Sequence, residues 1–189
     1  MTKAEFISLI KKRLPETSEV HSKTVELSIS TLFSDIIFSK FKRGEIDQFA
    51  KPYPDIEVKT DANGKFYCDL PVKIIASPSG FGSVRRIYPS DEDGILFLMI
   101  HPVKVRLIKH DEVYKVLGAI PYYLKGGNKV MFPVKNMKGI SQVDMNIIPL
   151  FSEYEMDEEV VMPGGSEWTI VKEIAALFAG TPPKDKVND

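Results

Sequence analysis

The sequence predicts an α+β protein: an antiparallel β-sandwich or open barrel flanked by two N-terminal helices and one C-terminal helix. Three observations carry that expectation. The middle of the chain holds two hairpin signals, Asp55–Ile75 around Asn63-Gly64 and Tyr122–Phe132 around Gly126-Gly127. Apolar residues recur there at period two, as in a strand with one buried face. Outside that region the period changes to the 3.6 residues of a helix. The expected divisions are an N-terminal helical segment 1–49, an antiparallel β-domain 50–151, and a segment 152–189 holding an acidic stretch, a helix and an extended tail.

Thr2-Lys3-Ala4-Glu5 has the form of a capping box, and Phe6, Leu9 and Ile10 follow at helical spacing until Pro15. Lys11, Lys12 and Arg13 fall at the C-terminal end, where the helix dipole favours cations. A longer helix begins near Ser18 to Ser22 with Val25, Ile29, Leu32, Phe33 and Ile36 on one face and Gly44 as the expected cap. Two such helices cannot bury both faces on each other, so the β-domain or another chain is expected to cover them. Glu45–Pro54 reads as a connector.

In the β-region, Ile56, Val58 and Thr60 alternate with charged residues. Asn63-Gly64 suits a tight turn whose two central residues take positive φ. Ile95–Ile100 is apolar throughout and reads as a strand buried on both faces. Val103–Ile108, Val130–Val134 and Ser141–Leu150 supply further strands, six to eight in all. Ser166 is a good N-cap for a last helix. Trp168, Val171, Ile174, Ala175 and Phe178 are its expected buried stripe, with Trp168 as core anchor. Thr181–Asp189 has no core-forming pattern and is expected to be ordered only by a partner chain.

Composition narrows the function classes. Lys and Arg number 25 against 26 Asp and Glu, a net charge of -1, which argues against a dedicated nucleic-acid module. One cysteine, Cys68, allows no intrachain disulfide and reads as a buried thiol. No apolar stretch reaches the roughly 18 residues of a membrane helix, and no glycosylation sequon occurs, so a reducing cytoplasm is the expected place of synthesis. No phosphate-loop, dinucleotide, zinc-protease or nucleophile-elbow motif is present. His21, His101 and His110 lack the spacing of ligands on one element, and Asp91, Glu92 and Asp93 lack the pattern of a calcium loop. No catalytic, metal or cofactor-binding residue is assigned, and no cofactor is expected. A second reading takes Arg85, Arg86, Tyr88, Tyr122 and Tyr123, with Lys104, Arg106 and Lys109, as a basic aromatic surface. It would make the β-domain a binding module for nucleic acid or glycan.

The order of elements resembles a known family. It runs from a helical pair through the Asn63-Gly64 hairpin followed by Leu70-Pro71, to the Tyr123–Phe132 hairpin and Asn146-Ile147-Ile148-Pro149. An acidic stretch, a Pro163-preceded helix and a polar tail follow. In plan this is similar to the head–tail connector or adaptor proteins of podoviruses. More narrowly, it resembles the small ring-forming virion proteins of crAss-like short-tailed phages of gut Bacteroidetes. The resemblance implies a structural, non-enzymatic protein that forms a cyclic, dodecameric homo-oligomer. Its implied partners are a portal protein and other connector or tail proteins. Genomic DNA would pass through the lumen without sequence-specific contact, and no membrane would be involved. The implied location is the portal–tail region of a virion assembled in a bacterial cytoplasm.

Overall fold

A computed structural model of the chain describes residues 1–13, 22–40, 43–75, 82–90, 95–101, 118–135, 137, 139–162 and 166–179. The chain divides into two compact units, Met1–Phe49 with Phe151–Asp189, and Ala50–Leu150. The fold is α+β, with helices at both ends of the sequence and sheets between them.

Unit Ala50–Leu150 is a sandwich of two sheets. The first has the order β1-β8-β4, from Lys51–Glu57 (β1), Gln142–Ile147 (β8) and Val84–Pro89 (β4), all antiparallel. Strand β8 alternates strictly, and Val143, Met145 and Ile147 on its inner face are fully buried. Pro52 and Pro54 are tolerated because β1 lies at an edge, where a missing N–H breaks no ladder. So Glu45–Pro54, expected as a connector, carries a short helix α3 (Arg43–Ile46), a 3-10 turn (Asp47–Phe49) and the start of β1. Gly44 lies inside α3 instead of capping the preceding helix. Between Tyr53 and Ile56 the register of β1 shifts, with Asp55 at φ 56, and the Asp55 amide donates to Asp144 Oδ1 at 3.0 Å.

The second sheet has the order β2-β3-β7-β6-β5, from Lys59–Thr60 (β2), Phe66–Asp69 (β3), Lys129–Phe132 (β7), Ala119–Lys125 (β6) and Leu96–Met99 (β5). Cys68, Ile120, Tyr122, Val130 and Phe132 from this sheet share one core with Val84, Ile87, Val143, Met145 and Ile147 of the other. Two corrections follow. Strand β5 pairs parallel with β6, so the sheet is mixed. A parallel pair requires a long crossover connection, and here the chain between the two strands includes residues 102–117, outside the described residues. With it go the expected strand Val103–Ile108 and the turn at His110. Moreover, β5 is not buried on both faces: Phe97 and Met99 pack on the core, while Leu96 and Leu98 are exposed.

The first hairpin turns differently from the two-residue form expected of Asn63-Gly64. Asp61 Oδ1 accepts the amides of Asn63 at 2.8 Å and Lys65 at 2.9 Å, and the Gly64 amide donates to the Asp61 carbonyl. Only Gly64 takes positive φ, at 74. An aspartate that folds back on its own turn outcompetes the tighter geometry and widens the loop to Ala62-Asn63-Gly64. The two donated amides hold the Asp61 carboxyl below its ordinary range, the Lys65 bond most of all. In the second hairpin Gly126 and Gly127 both take positive φ.

The other unit joins the two ends of the sequence. Helices α1 (Lys3–Lys11), α2 (Ser22–Lys40) and α4 (Ser166–Ala179) pack together, with a 3-10 turn at Phe151–Glu153 against α2. Phe33 is the hub: its ring lies 6.2 Å from Phe6, 6.4 Å from Phe49 and 5.4 Å from Phe151. Ile10, Ile29, Ile37, Ile170, Val171 and Ile174 are fully buried in this unit. The apolar faces of the N-terminal helices are therefore covered by residues from the far end of the chain, a solution local pattern could not indicate.

The N-terminus of α1 is closed twice over. Thr2 Oγ1 accepts the Glu5 amide at 3.2 Å and Glu5 Oε2 accepts the Thr2 amide at 2.8 Å, the expected capping box. The Lys3 and Ala4 amides, which have no intrahelical acceptor, donate to the carbonyls of Glu158 at 3.0 Å and Met156 at 2.9 Å. The acidic segment is thus fastened by its backbone to the first turn of α1, and Glu155, Met156, Asp157 and Glu159 are left exposed while Glu158 Oε2 accepts the Glu155 amide at 3.0 Å.

Candidate functional site

Cys68 is fully buried among Val130, Phe132 and Val143. Burial pushes its thiol up to about 12, so at neutral pH it carries a proton and is a poor nucleophile. Cys68→Ser is expected to cost about 1–3 kcal/mol by placing a hydroxyl in an apolar core, without abolishing any activity or assembly. Denaturant unfolding measures the first, and native mass the second.

The basic aromatic surface comes apart. Tyr122 points into the core, and burial pushes its phenol up to about 12. Tyr123 is half-buried with its phenol also raised, mainly by burial. Arg86 and Tyr88 do face outward, and Tyr88 sits opposite Asp144 on the next strand. Arg85 Nη1 donates to the Gly82 carbonyl at 3.2 Å, while Lys104, Arg106 and Lys109 lie outside the described residues. Tyr88, 40% exposed, is what remains of the aromatic set.

On the outer face of the five-stranded sheet, Asp69 bonds Lys59 at 3.0 Å and pairs with Lys129 at 3.6 Å, and Lys129 lies 4.3 Å from the Tyr67 ring centroid. The hydrogen bond to Lys59 lowers the Asp69 carboxyl and raises the Lys59 amine. These charges answer one another across neighbouring strands. That is the arrangement of a solvated sheet face, where exposed pairs add at most about 1 kcal/mol.

Among the described residues no group of three or more His, Cys, Asp or Glu side chains is placed to hold a metal ion. His101 is exposed, and His21, His110 and the Asp91–Asp93 turn lie outside the described residues. No helix among the described residues is long and apolar enough to cross a membrane.

The helical unit presents the features that sequence reasoning missed. Lys3 is 4% exposed, and its Nζ donates to the Tyr154 carbonyl at 2.9 Å and pairs with Glu26 at 2.7 Å. Nothing about a lysine at position three signals burial; the acceptors come from the other end of the chain. Trp168, expected as a core anchor, is 51% exposed. The buried face of α4 centres on Ile170, Val171 and Ile174, and at 100° per residue Trp168 stands roughly 120° away from it. The Arg13 guanidinium covers the ring at 5.0 Å from its centroid. Met156 in the acidic loop is 52% exposed and Leu27 on α2 is 72% exposed. Leu27, Met156 and Trp168 are the large apolar side chains that the described part of this unit leaves exposed.

Compared with known protein families and with curated protein sequences, the chain gives no match.

Proposed function

We propose that this chain is a virion structural protein, one subunit of an oligomeric ring in the portal-to-tail connector of a tailed bacteriophage. The observation that carries the reading is the set of large apolar side chains left in water on each unit: Leu27, Met156 and Trp168 on one, Leu96 and Leu98 on the other. These exposed apolar side chains are the surface that further copies or partners would cover. The reading needs no catalytic centre and no cofactor. Genomic DNA would pass through the lumen without sequence-specific contact, with portal and tail proteins above and below.

A second reading, a binding module for nucleic acid or glycan, rests on the outward Arg86 and Tyr88 of β4. It loses most of its aromatic platform with Tyr122 buried.

Mass photometry across a range of concentrations tests the proposal. A ring subunit populates a discrete species many times the 21.3 kDa chain mass, seen as closed rings by negative-stain microscopy. A chain that stays monomeric at every concentration, and also with a portal–tail preparation, would overturn it.

A further inference from the structure

The helical unit is chemically two-ended along α1. At the N-terminal end the loop 155–159 is held by hydrogen bonds from Lys3 and Ala4, and Glu155, Met156, Asp157 and Glu159 all face solvent. At the C-terminal end Lys12 and Arg13 are exposed, and Arg13 lies over the half-exposed Trp168 ring. Nine residues of helix at about 1.5 Å each separate the two ends by roughly 13 Å. Along the outer side of α1 an open depression of about 540 Å³ is lined by Met1, Ala4, Glu5, Ser8, Leu9 and Lys12. The loop is tied down by its backbone, so it cannot swing across to the cations of its own copy.

Acid at a helix N-terminus and base at its C-terminus both complement the helix dipole. That effect asks for charge alone. It leaves Met156 and Trp168 unexplained, one exposed apolar side chain at each end.

We propose that the Lys12–Arg13–Trp168 end of one copy receives the Glu155–Glu159 loop of a second copy. Met156 then packs against the indole, a favourable sulfur–aromatic contact. The carboxylates of Glu155, Asp157 and Glu159 face Lys12 and Arg13. The contact joins two different patches, so it is head-to-tail and leaves both ends of every dimer open for further copies. Such a contact closes into a ring when the rotation per subunit allows. The inference rests on the ring reading and names the surface that would build it.

Two charge-reversed variants test it, Lys12→Glu with Arg13→Glu, and Asp157→Lys with Glu159→Lys. Each alone is expected to raise the concentration for half-assembly roughly tenfold or more, because like charges then meet. An equimolar mixture of the two is expected to assemble again in alternating order, since opposite charges then meet at every junction, the native pair at one and the reversed pair at the next. In parallel, unmodified light and heavy isotope-labelled chains are mixed and treated with carbodiimide, which needs no variant to fold. Cross-links from Lys12 to residues 155–159 are expected in mixed-isotope peptides. If the unmodified protein forms rings, but the folded variants assemble equally well and no mixed-isotope link forms, this contact is wrong and the ring reading stands. If the unmodified protein is monomeric throughout, the ring reading fails and takes this contact with it.

Discussion

Phe151→Ala is expected to lose about 3–5 kcal/mol, the range for deleting a fully buried aromatic side chain. Its ring packs 5.4 Å from both Phe6 and Phe33 and 6.5 Å from Tyr154, so its removal empties the middle of the helical unit. It is also the residue through which the C-terminal part of the chain enters the core built by α1 and α2. The loss should therefore fall on this unit: helical signal and Trp168 emission change at lower denaturant, while the sandwich core of Val143, Met145 and Ile147 holds. Equilibrium unfolding followed by far-ultraviolet circular dichroism and by Trp168 fluorescence checks it. A single transition, unshifted from the unmodified protein, would show that the aromatic cluster does not hold the unit together.

Lys3→Met is expected to cost about 1.5–3 kcal/mol, the value of hydrogen bonds that involve a charged group. Methionine keeps the length and apolar stem of the side chain. What disappears is the donor to the Tyr154 carbonyl and the partner of Glu26. Glu26→Gln should cost less, because the glutamine amide oxygen can still accept from Lys3 Nζ and the Glu26 side chain is itself 37% exposed. Denaturant melts of the two variants separate the contributions. Equal losses would mean that the ion pair, and not the buried carbonyl, sets the cost.

Much of the fold was legible because its signals are local. Thr2 and Glu5 announced the start of α1, the alternation of Val143, Met145 and Ile147 announced β8, and Gly126-Gly127 marked a hairpin. The failures share a cause. Trp168 was placed by its size, yet a helix face is decided by what lies opposite, and α1 and α2 meet Ile170, Val171 and Ile174. Ile95–Ile100 carries no alternation to reveal that Leu96 and Leu98 face solvent, or that the strand runs parallel to β6. Tyr122 and Tyr123 are equally plausible outward residues until β7 fixes the register. Hardest to see were the assignments that join positions far apart in the chain. Lys3 as a buried cation, and the acidic loop as a helix cap, depend on partners that no window of the sequence contains.

The closure of the helical unit by Phe151 has a consequence for the order in which the protein is made. Lys3 reaches the Tyr154 carbonyl across 151 residues of chain, and everything from Ala50 to Leu150 is synthesised between them. As the chain emerges from the ribosome, the sandwich has all of its strands before α1 and α2 have met Phe151 or α4. Helices α1 and α2 are made before the sandwich and buried after it. During that interval Phe6, Ile10, Ile29 and Phe33 have no partners from the far end of the chain, and the nascent protein is most open to capture by a chaperone or by another nascent copy. In the ring reading proposed above, α1 cannot offer both of its ends to a neighbour until residues 151–179 have also been made.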